Sequence, residues 1–187
     1  MILVVTDPQP YDYDAYLEMN KDSGLQNEFG NLKGQTASGA KKALEAIMTP
    51  EKGGNWSDFA FIKLTKQASP IDRYDSSNSK TIGFISLAEA GVSDFGMTGF
   101  KMLLNYGIVE AYRGKGLMTH ALNMRLNKHE EVGINIVPAY ISGDNIASER
   151  VLQKCGFMRI SNNKLGSTYV KNICVDKAVF DENFQEV

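Results

Sequence analysis

The sequence predicts a mixed α/β fold, and three observations carry this prediction. Strand and helix patterns alternate from residue 101 onward, which is typical of strands joined by crossover helices. Two apolar strand patterns further upstream flank one polar stretch, which indicates an antiparallel hairpin. The chain has 187 residues, 43% of them hydrophobic and 22% charged, and this fits one domain over 1–187 with a packed core.

The predicted elements are short and are separated by Gly, Pro, Asn and Asp. The run at 2–5 is apolar and β-branched, and it predicts a first strand rather than a signal peptide because no basic segment precedes it. In the N-terminal half we expect a helix at 11–20, mostly loop at 21–35, a helix at 39–48 capped by Ser38, strands at 58–65 and 81–88, and connections at 66–80 and 91–99. In the C-terminal half we expect a strand at 101–109, a helix at 114–129, a strand at 135–141, a helix at 145–155, and strands at 157–160 and 169–175.

Composition excludes several functions. The net charge of −2 leaves no global positive field for nucleic acid or an anionic membrane, and no apolar run reaches the length of a membrane span. Cys155 and Cys174 are too few for a disulfide framework or a zinc site of four thiolates, and no cluster of His, Asp or Glu has metal-ligand spacing. We therefore expect no metal, two buried thiols and a cytoplasmic protein.

The segment 108–119 is the most informative part of the sequence, because a strand pattern there ends in a glycine-rich turn followed by a helix pattern. No capping side chain immediately precedes Gly114, so the first N–H groups of the helix need another partner. Gly114 and Gly116 allow close approach to the backbone, and Arg113 and Lys115 add positive charge. The segment predicts an anion site suited to a diphosphate. The alternative is a tight turn with exposed basic residues.

A second pattern begins at Asn145, after the strand at 135–141. Asn145 and Ser148 are three residues apart and share one helix face. The structural alternatives are an N-cap for Asn145 and an idle hydroxyl for Ser148. Gly156 is well placed as the left-handed residue that ends this helix.

Together the two segments resemble the GCN5-related N-acetyltransferase (GNAT) superfamily. The acetyl-CoA loop of that family reads Gln/Arg-x-x-Gly-x-Gly/Ala, and 113–118 matches it up to Met118. The later pattern Asn-x-x-Ser/Ala-x-x-x-Leu/Tyr-x-x-x-Gly-Phe is matched at 145–157, and its Ser and Leu are similar to the RimJ/RimL branch. All recognisable motifs lie within 102–157.

The resemblance implies a central, mostly antiparallel sheet with a splayed parallel strand pair, flanked by helices. It implies an N-acetyltransferase that uses acetyl-CoA and a primary amine, either a small molecule or a protein N-terminus. The implied cofactor-binding residues are Ile108, Val109, Arg113, Gly114, Lys115, Gly116, Leu117, Met118, Thr119, Asn145 and Ser148. In this comparison the loop amides hold the pyrophosphate, the end of the strand at 101–109 and Asn145 bind the pantetheine arm, and Ser148 lies near the thioester sulfur.

Two residues depart from the family pattern. Met118 replaces the usual Gly or Ala, so its side chain must point away from the diphosphate. Leu152 stands where many members have the tyrosine that protonates the leaving thiolate, which leaves the general acid open. These departures motivate an alternative hypothesis of a non-catalytic module that binds acyl-CoA. A third hypothesis is a different nucleotide-phosphate binder.

Acyl transfer to an amine needs a base, an oxyanion donor and a proton for the thiolate. The catalytic candidates are Glu89 as base, with a solvated loop carboxylate as its alternative, and Ser148 as acid. The resemblance implies a backbone N–H of Ile108 or Val109 at the oxyanion. We expect Cys155 to be a core residue. We expect His120 and His129 to lie on a solvated helix face, where they form no triad with a Ser or Cys.

The acceptor site is predicted only in outline. The segments 11–56, 66–80 and 91–99 would frame it, and they contain an aromatic and acidic set that suits a cationic amine. This set comprises Tyr11, Asp12, Tyr13, Asp14, Tyr16, Glu18, Trp56, Asp72, Tyr74 and Asp75. A solvated face explains the acids equally well. A second copy of the chain is the remaining candidate partner, as a homodimer.

Overall fold

The structure is a computed structural model that describes residues 1–28, 36–49, 56–66, 79–91, 98–131 and 134–173. Within these ranges the strands are β1 (Ile2–Thr6), β2 (Trp56–Thr65), β3 (Ser79–Glu89), β4 (Met102–Ile108), β5 (Ile136–Ser142), β6 (Met158–Asn163) and β7 (Gly166–Asn172). The helices are α1 (Tyr13–Met19), α2 (Ser23–Glu28), α3 (Ala37–Met48), α4 (Leu117–Glu131) and α5 (Ile146–Lys154), with 3-10 turns at Pro10–Asp12 and Glu110–Tyr112. None of the helices in these ranges is long and apolar enough to cross a membrane.

The strands form one mixed sheet in the order β1-β2-β3-β4-β5-β7-β6. Every neighbouring pair is antiparallel except β4 and β5, which are parallel. The predicted mixed sheet and the predicted hairpin of β2 and β3 are confirmed. β4 and β5 are in register only at Leu104 and Ala139, so the two strands diverge beyond this pair and leave an open cleft.

Helices cover both faces of the sheet because successive strand residues point to opposite sides. On one face, α4 and α5 pack over a core that includes Ile62, Leu104 and Leu152. On the other face, α1, α2 and α3 enclose a second core around Phe59, Phe61 and Phe84. The adjacent residues Phe61 and Ile62 therefore belong to different cores.

A buried charged cluster attaches α4 to the first two strands. Arg125 on α4 binds both carboxylate oxygens of Asp58 on β2, and its Nη1 lies 2.8 Å from Asp7 after β1. His129, one turn further along α4, is 2% exposed, and its Nε2 lies 2.6 Å from Oδ2 of Asp58. The predicted solvated face is therefore correct for His120, which is exposed, and wrong for His129.

The electrostatic environment of His129 favours the neutral ring. Burial lowers the pKa of His129 from 6.5 to about 4, and the charges of Arg125 and Lys128 lower it in the same direction. An ionised carboxylate only accepts hydrogen bonds, so the proton of the neutral ring lies on Nε2, facing Asp58.

The N-terminal half differs from the sequence prediction at two helix starts. The expected loop at 21–35 contains α2, because Oδ1 of Asp22 accepts the N–H of Leu25 at 3.0 Å and Leu25 is fully buried. Helix α3 begins at Ala37 and is capped by Thr36, whose hydroxyl accepts the N–H of Gly39 at 3.1 Å, so the Ser38 cap is wrong. Both caps satisfy N–H groups that the helix itself leaves open.

Other boundaries shift by a few residues. The expected helix at 11–20 divides into the Pro10–Asp12 turn and α1, and the expected helix at 114–129 begins later, at Leu117. The last strand is at Gly166–Asn172 rather than 169–175, and Cys174 lies outside the described residues. The central parts of the connections expected at 66–80 and 91–99 also lie outside them.

Candidate functional site

A cavity of about 330 Å³ lies where β4 and β5 diverge. Three elements form its walls, namely the end of β4, the loop and first turn of α4, and one face of α5. The lining residues are Tyr106, Gly107, Ile108, Tyr112, Arg113, Gly114, Lys115, Gly116, Leu117, Met118, Thr119, Asn145, Ala147, Ser148, Arg150, Val151 and Lys154. The structure thus brings together the two motifs that the sequence separates by about 30 residues.

The glycine loop and the first turn of α4 line this cavity from 113 to 119. Gly114 and Gly116 have φ values of 72° and 74°, a conformation that residues with a side chain rarely adopt. A β-carbon at either position would meet nothing within 4 Å, so the backbone angle, rather than crowding by the protein, requires glycine. The N–H of His120 donates to Gly116 at 3.1 Å, which leaves the amides before it at the open N-terminus of α4.

The two basic residues of the loop also brace it. Nε of Arg113 donates to the carbonyl of Ile108 at 3.1 Å, and Nζ of Lys115 donates to the carbonyl of Ala111 at 2.9 Å. The Arg113 guanidinium packs against Gly24 in α2, where a β-carbon would lie 2.7 Å from Nη2. The unexpected helix α2 therefore supports the loop from behind.

Asn145 and Ser148 both line the cavity, and Asn145 is also the cap of α5. Oδ1 of Asn145 accepts the N–H of Ser148 at 3.0 Å, so the N-cap alternative is confirmed. The carbonyl of Ser148 accepts the hydroxyl of Tyr106 on β4 at 3.1 Å. This hydrogen bond connects the two walls of the cleft inside the cavity.

Alternate residues of β4 direct their backbone N–H and C=O groups toward the cleft. Leu104 pairs with β5, so the backbone groups of Tyr106 and Ile108 point to the same side. The N–H of Val109 donates to the carbonyl of Ile82 on the opposite side at 2.8 Å, and Val109 is absent from the cavity lining. The structure therefore corrects the expectation that Val109 offers its N–H to the site, and it leaves Ile108 in that place.

Three side chains near the motifs belong to the core. Met118 is buried with its side chain in the apolar cluster under α4, as the sequence analysis required. Leu152 is fully buried, so it offers no group to the cavity at the position of the family tyrosine. Cys155 is buried as expected, and burial raises the pKa of its thiol to about 11.

Several expected residues lie away from the cavity. Glu89 is exposed at the end of β3 opposite Met102, which is four residues before Tyr106 along β4, or about 14 Å at the usual rise per residue. Of the acidic set, Asp12 is buried and pairs with Lys63 at 2.5 Å, so it is not part of a solvated acidic rim. Tyr16 is also buried, whereas Tyr11 and Asp14 are exposed.

Part of the cavity lining is not predicted from the sequence. Tyr106 and Tyr112 fall inside or beside the predicted strand and loop, and Arg150 and Lys154 lie one turn apart on α5. The spacing i and i+4, on the helix capped by Asn145, is the sequence signal that could have found Arg150 and Lys154.

Comparisons with known proteins agree with this geometry. A family model described as "Acetyltransferase (GNAT) domain" matches residues 3–158. A search among curated protein sequences gives no match.

Solved structures show the same fold at low sequence identity. A ribosomal L7/L12 alpha-N-protein acetyltransferase, RimL, in complex with coenzyme A is 14% identical with a TM-score of 0.66, over 91% of this chain and 93% of that one. The ribosomal-protein-S5-alanine acetyltransferase from Vibrio fischeri is 17% identical with a TM-score of 0.62, over 91% and 92%. The aminoglycoside acetyltransferase AAC(6')-Ib in complex with coenzyme A is 13% identical with a TM-score of 0.67, over 91% and 95%.

The splayed β4 and β5 strands, the glycine loop at the start of α4 and a family model that spans most of the sequence lead to one conclusion. The chain belongs to the GNAT family of acetyltransferases and is an acyl-CoA-dependent N-acyltransferase.

Proposed function

We propose that the protein transfers an acetyl group from acetyl-CoA to a primary amine, on a small molecule or a protein N-terminus, by direct attack of the amine. One observation carries the proposal. The cavity between β4 and α5 is lined by the glycine loop at the open N-terminus of α4 and by four cationic side chains, and none of the described residues that line it is an Asp or Glu. This lining suits a polyanionic donor in a chain whose net charge is −2.

The residues of the cavity fit the two ends of acetyl-CoA. The amides from Gly114 to Thr119 would hold the diphosphate, because these residues line the cavity at the open N-terminus of α4 and a β-carbon position at either glycine is clear of protein atoms. The cleft-facing edge of β4 at Ile108, together with Asn145, would bind the amide-containing arm. Acetyl-CoA would supply the thioester carbonyl that the amine attacks.

The protein's own groups then serve the acyl transfer. The N–H of Ile108 is directed toward the cleft and would stabilise the developing oxyanion. The hydroxyl of Ser148 lies on the cavity wall and would deliver a proton to the departing thiolate, directly or through water. Glu89 is proposed as the base. Glu89 lies opposite Met102, about 14 Å along β4 from Tyr106, so it would take the proton of the attacking amine only through intervening water.

Direct attack is favoured over an acyl intermediate on Cys155, the cysteine within the described residues. Cys155 is buried, is absent from the cavity lining, and has a thiol whose pKa is raised to about 11. A thiol of this kind is almost entirely protonated at neutral pH and is therefore a poor nucleophile.

The experiment is a thiol-release assay with acetyl-CoA and a panel of amines. The panel contains an aminoglycoside and peptides with free N-termini, since structural neighbours act on acceptors of these kinds. Each amine is paired with its N-acetylated form as a matched control. We expect thiol release with at least one free amine and none with its acetylated partner.

The competing hypothesis is a module that binds acyl-CoA without turnover, and the buried Leu152 in place of a tyrosine acid favours it. Tight binding of CoA without amine-dependent thiol release across the panel would support that module and contradict the enzymatic proposal. A Ser148→Ala variant refines the assignment, because we expect it to lower turnover much more than the affinity for CoA.

Further proposals concern the chain as a whole. We infer a single acetyltransferase domain over 1–187, a cytoplasmic location, a homodimer, and neither nucleic acid nor a membrane as a partner. Support for the dimer comes from β6, an edge strand that exposes Met158 and Ile160. Light scattering of the purified protein tests the oligomeric state, and cell fractionation tests the location.

A further inference from the structure

An acidic residue from the layer of α1, α2 and α3 contacts the turn that precedes the glycine loop. Asp22 lies directly before α2, on the other side of the sheet from α4 and α5. Its Oδ2 accepts the backbone N–H of Glu110, 88 residues later in the chain, at 3.2 Å. Its Oδ1 accepts the N–H of Leu25 at 3.0 Å and caps α2. One carboxylate therefore joins a helix of the second core to the segment that leads into the cavity.

The 3-10 turn after β4 transmits this contact to the glycine loop, because hydrogen bonds close its own backbone. The N–H of Tyr112 donates to the carbonyl of Val109 at 2.9 Å, and the N–H of Arg113 donates to the carbonyl of Glu110 at 3.1 Å. Gly114 follows directly and is the first residue of the loop with a left-handed backbone. The position of Glu110 therefore sets where the glycine loop begins.

Arg113 makes a second contact between the loop and α2. Gly24 is buried, and the position that a β-carbon would take there lies 2.7 Å from Nη2 of Arg113 and 3.1 Å from Oδ1 of Asp22. The guanidinium and the carboxylate thus approach each other across a residue without a side chain, and their opposite charges attract. The turn is therefore held against α2 at its first residue and again directly after its last.

We propose that Asp22 is a positioning residue for the donor, which holds the turn through the N–H of Glu110 and so keeps the glycine loop in the conformation that receives the diphosphate. The inference rests on the proposed function. A loop that takes its binding conformation only part of the time binds with an affinity reduced by that fraction. A hydrogen bond to a charged group, at the lower end of its usual contribution, corresponds to about a tenfold change in such an equilibrium.

The sign of the effect distinguishes positioning from a purely electrostatic role. Asp22 brings negative charge toward a site proposed for an anion. An electrostatic role alone therefore predicts that removal of the carboxylate strengthens the binding of CoA, because like charges repel. A positioning role predicts weaker binding.

The experiment is calorimetric titration of CoA into the full chain and its variants, after circular dichroism has shown that each is folded. Asp22→Ser keeps a side chain that caps α2, but its single oxygen cannot also accept the N–H of Glu110. Glu110→Pro removes that N–H from the other side. Proline suits this position, because Glu110 is the first residue of the turn and Val109 before it has a ψ of 135°.

We expect each single variant to bind CoA at least threefold, and up to about tenfold, more weakly than the wild type. In the double variant Asp22→Ser/Glu110→Pro we expect no loss beyond that of Glu110→Pro alone, because both changes remove the same contact. If Glu110→Pro does not fold, the direction and size of the change in Asp22→Ser decide the inference on their own.

The matched control is Thr36→Ala, which removes the side-chain cap of α3 in the same helical layer. We expect this control to keep the wild-type affinity for CoA. A loss of less than threefold or tighter binding in Asp22→Ser would overturn the inference, as would an equal loss in the control or additive losses in the double variant. Each of these outcomes leaves the proposed function intact, whereas failure of the wild type to bind CoA would contradict the proposed function itself.

Discussion

The hydroxyl of Tyr106 donates a hydrogen bond to the backbone carbonyl of Ser148 across the cleft, at 3.1 Å. Tyr106 lies two residues beyond Leu104, the position at which β4 last pairs with β5. The bond therefore joins β4 to α5 beyond the point at which β4 pairs with β5. It fixes the width of the cavity near the proposed thioester.

Replacing Tyr106 by Phe removes this bond and keeps the ring. We expect a loss of about 1 kcal/mol in the free energy of unfolding, the usual contribution of one hydrogen bond, together with weaker binding of CoA because the cleft is less constrained. Chemical denaturation measures the first effect and calorimetry the second.

Tyr13→Phe is the control for this change. The hydroxyl of Tyr13 donates to the carbonyl of Ala37 at 2.7 Å, far from the cavity, so its loss should lower stability without changing the affinity for CoA. Equal effects of the two variants on CoA binding would show that Tyr106 has no special part in shaping the cleft.

The contact between His129 and Asp58 predicts a pH dependence of stability. Because burial lowers the pKa of His129 to about 4 from an unfolded value near 6.5, the neutral folded ring binds its proton less readily than the unfolded chain does. The neutral His129 ring therefore contributes to the free energy of unfolding above pH 6.5, and this contribution is lost as the pH falls toward 4. The difference between the folded and unfolded pKa of His129 corresponds to on the order of 3 kcal/mol in the free energy of unfolding. Urea denaturation between pH 7.5 and 4.5 measures it.

Two single substitutions on α4 distinguish the source of this dependence. His129→Gln keeps an N–H donor for Asp58 but does not titrate, so its stability should change less over the same pH range. His120→Gln replaces an exposed histidine on the same helix and should retain the wild-type slope. A slope that is lost in the His120 variant and retained in the His129 variant would contradict the assignment.

The buried pair of Lys63 and Asp12 predicts a large cost for breaking it on one side only. Each side chain is 2% exposed, and Asp12 also accepts the N–H of Gln9 at 3.0 Å. We expect Lys63→Met to cost about 3–5 kcal/mol because it leaves a buried carboxylate without a cation. The double variant Lys63→Met/Asp12→Asn should recover much of this loss, and a double variant as unstable as the single one would contradict this reasoning.

The glycine loop and α5 could be predicted from the sequence because the patterns that indicate them are local. The turn at Gly114 and Gly116 requires left-handed backbone angles that glycine alone adopts easily, so the pattern of residues reports the conformation directly. Asn145 and Ser148 are related by one helical turn, which is equally local. The end of α5 at Gly156, with a φ of 80°, follows the same rule.

The remaining features depend on contacts between distant residues. Arg125 and His129 form a polar face in the sequence of α4, and only the approach of Asp58, more than 60 residues earlier, makes that face buried. The Val109 N–H was misassigned because the sequence does not say which neighbour each edge of β4 meets. Helix α2 is short and is stabilised by the burial of Leu25, which periodicity over six residues does not reveal.

The central claim is that the glycine loop holds the diphosphate of acyl-CoA, and Gly116→Asp tests it most directly. The new carboxylate would face the diphosphate at close range, where like charges repel strongly. Gly99→Asp is the matched control, because Gly99 has a φ of 71° and nothing within 4 Å of a β-carbon, as at Gly116, but lies before β4.

The measurement is calorimetric titration of CoA, NAD and ATP into the wild type and both variants, after circular dichroism has shown that all three are folded. We predict that the wild type binds CoA in preference to NAD and ATP, that Gly99→Asp binds CoA equally well, and that Gly116→Asp binds it at least about 100-fold more weakly. Unchanged CoA affinity in the folded Gly116→Asp protein, or a wild type that prefers NAD or ATP, would contradict the account.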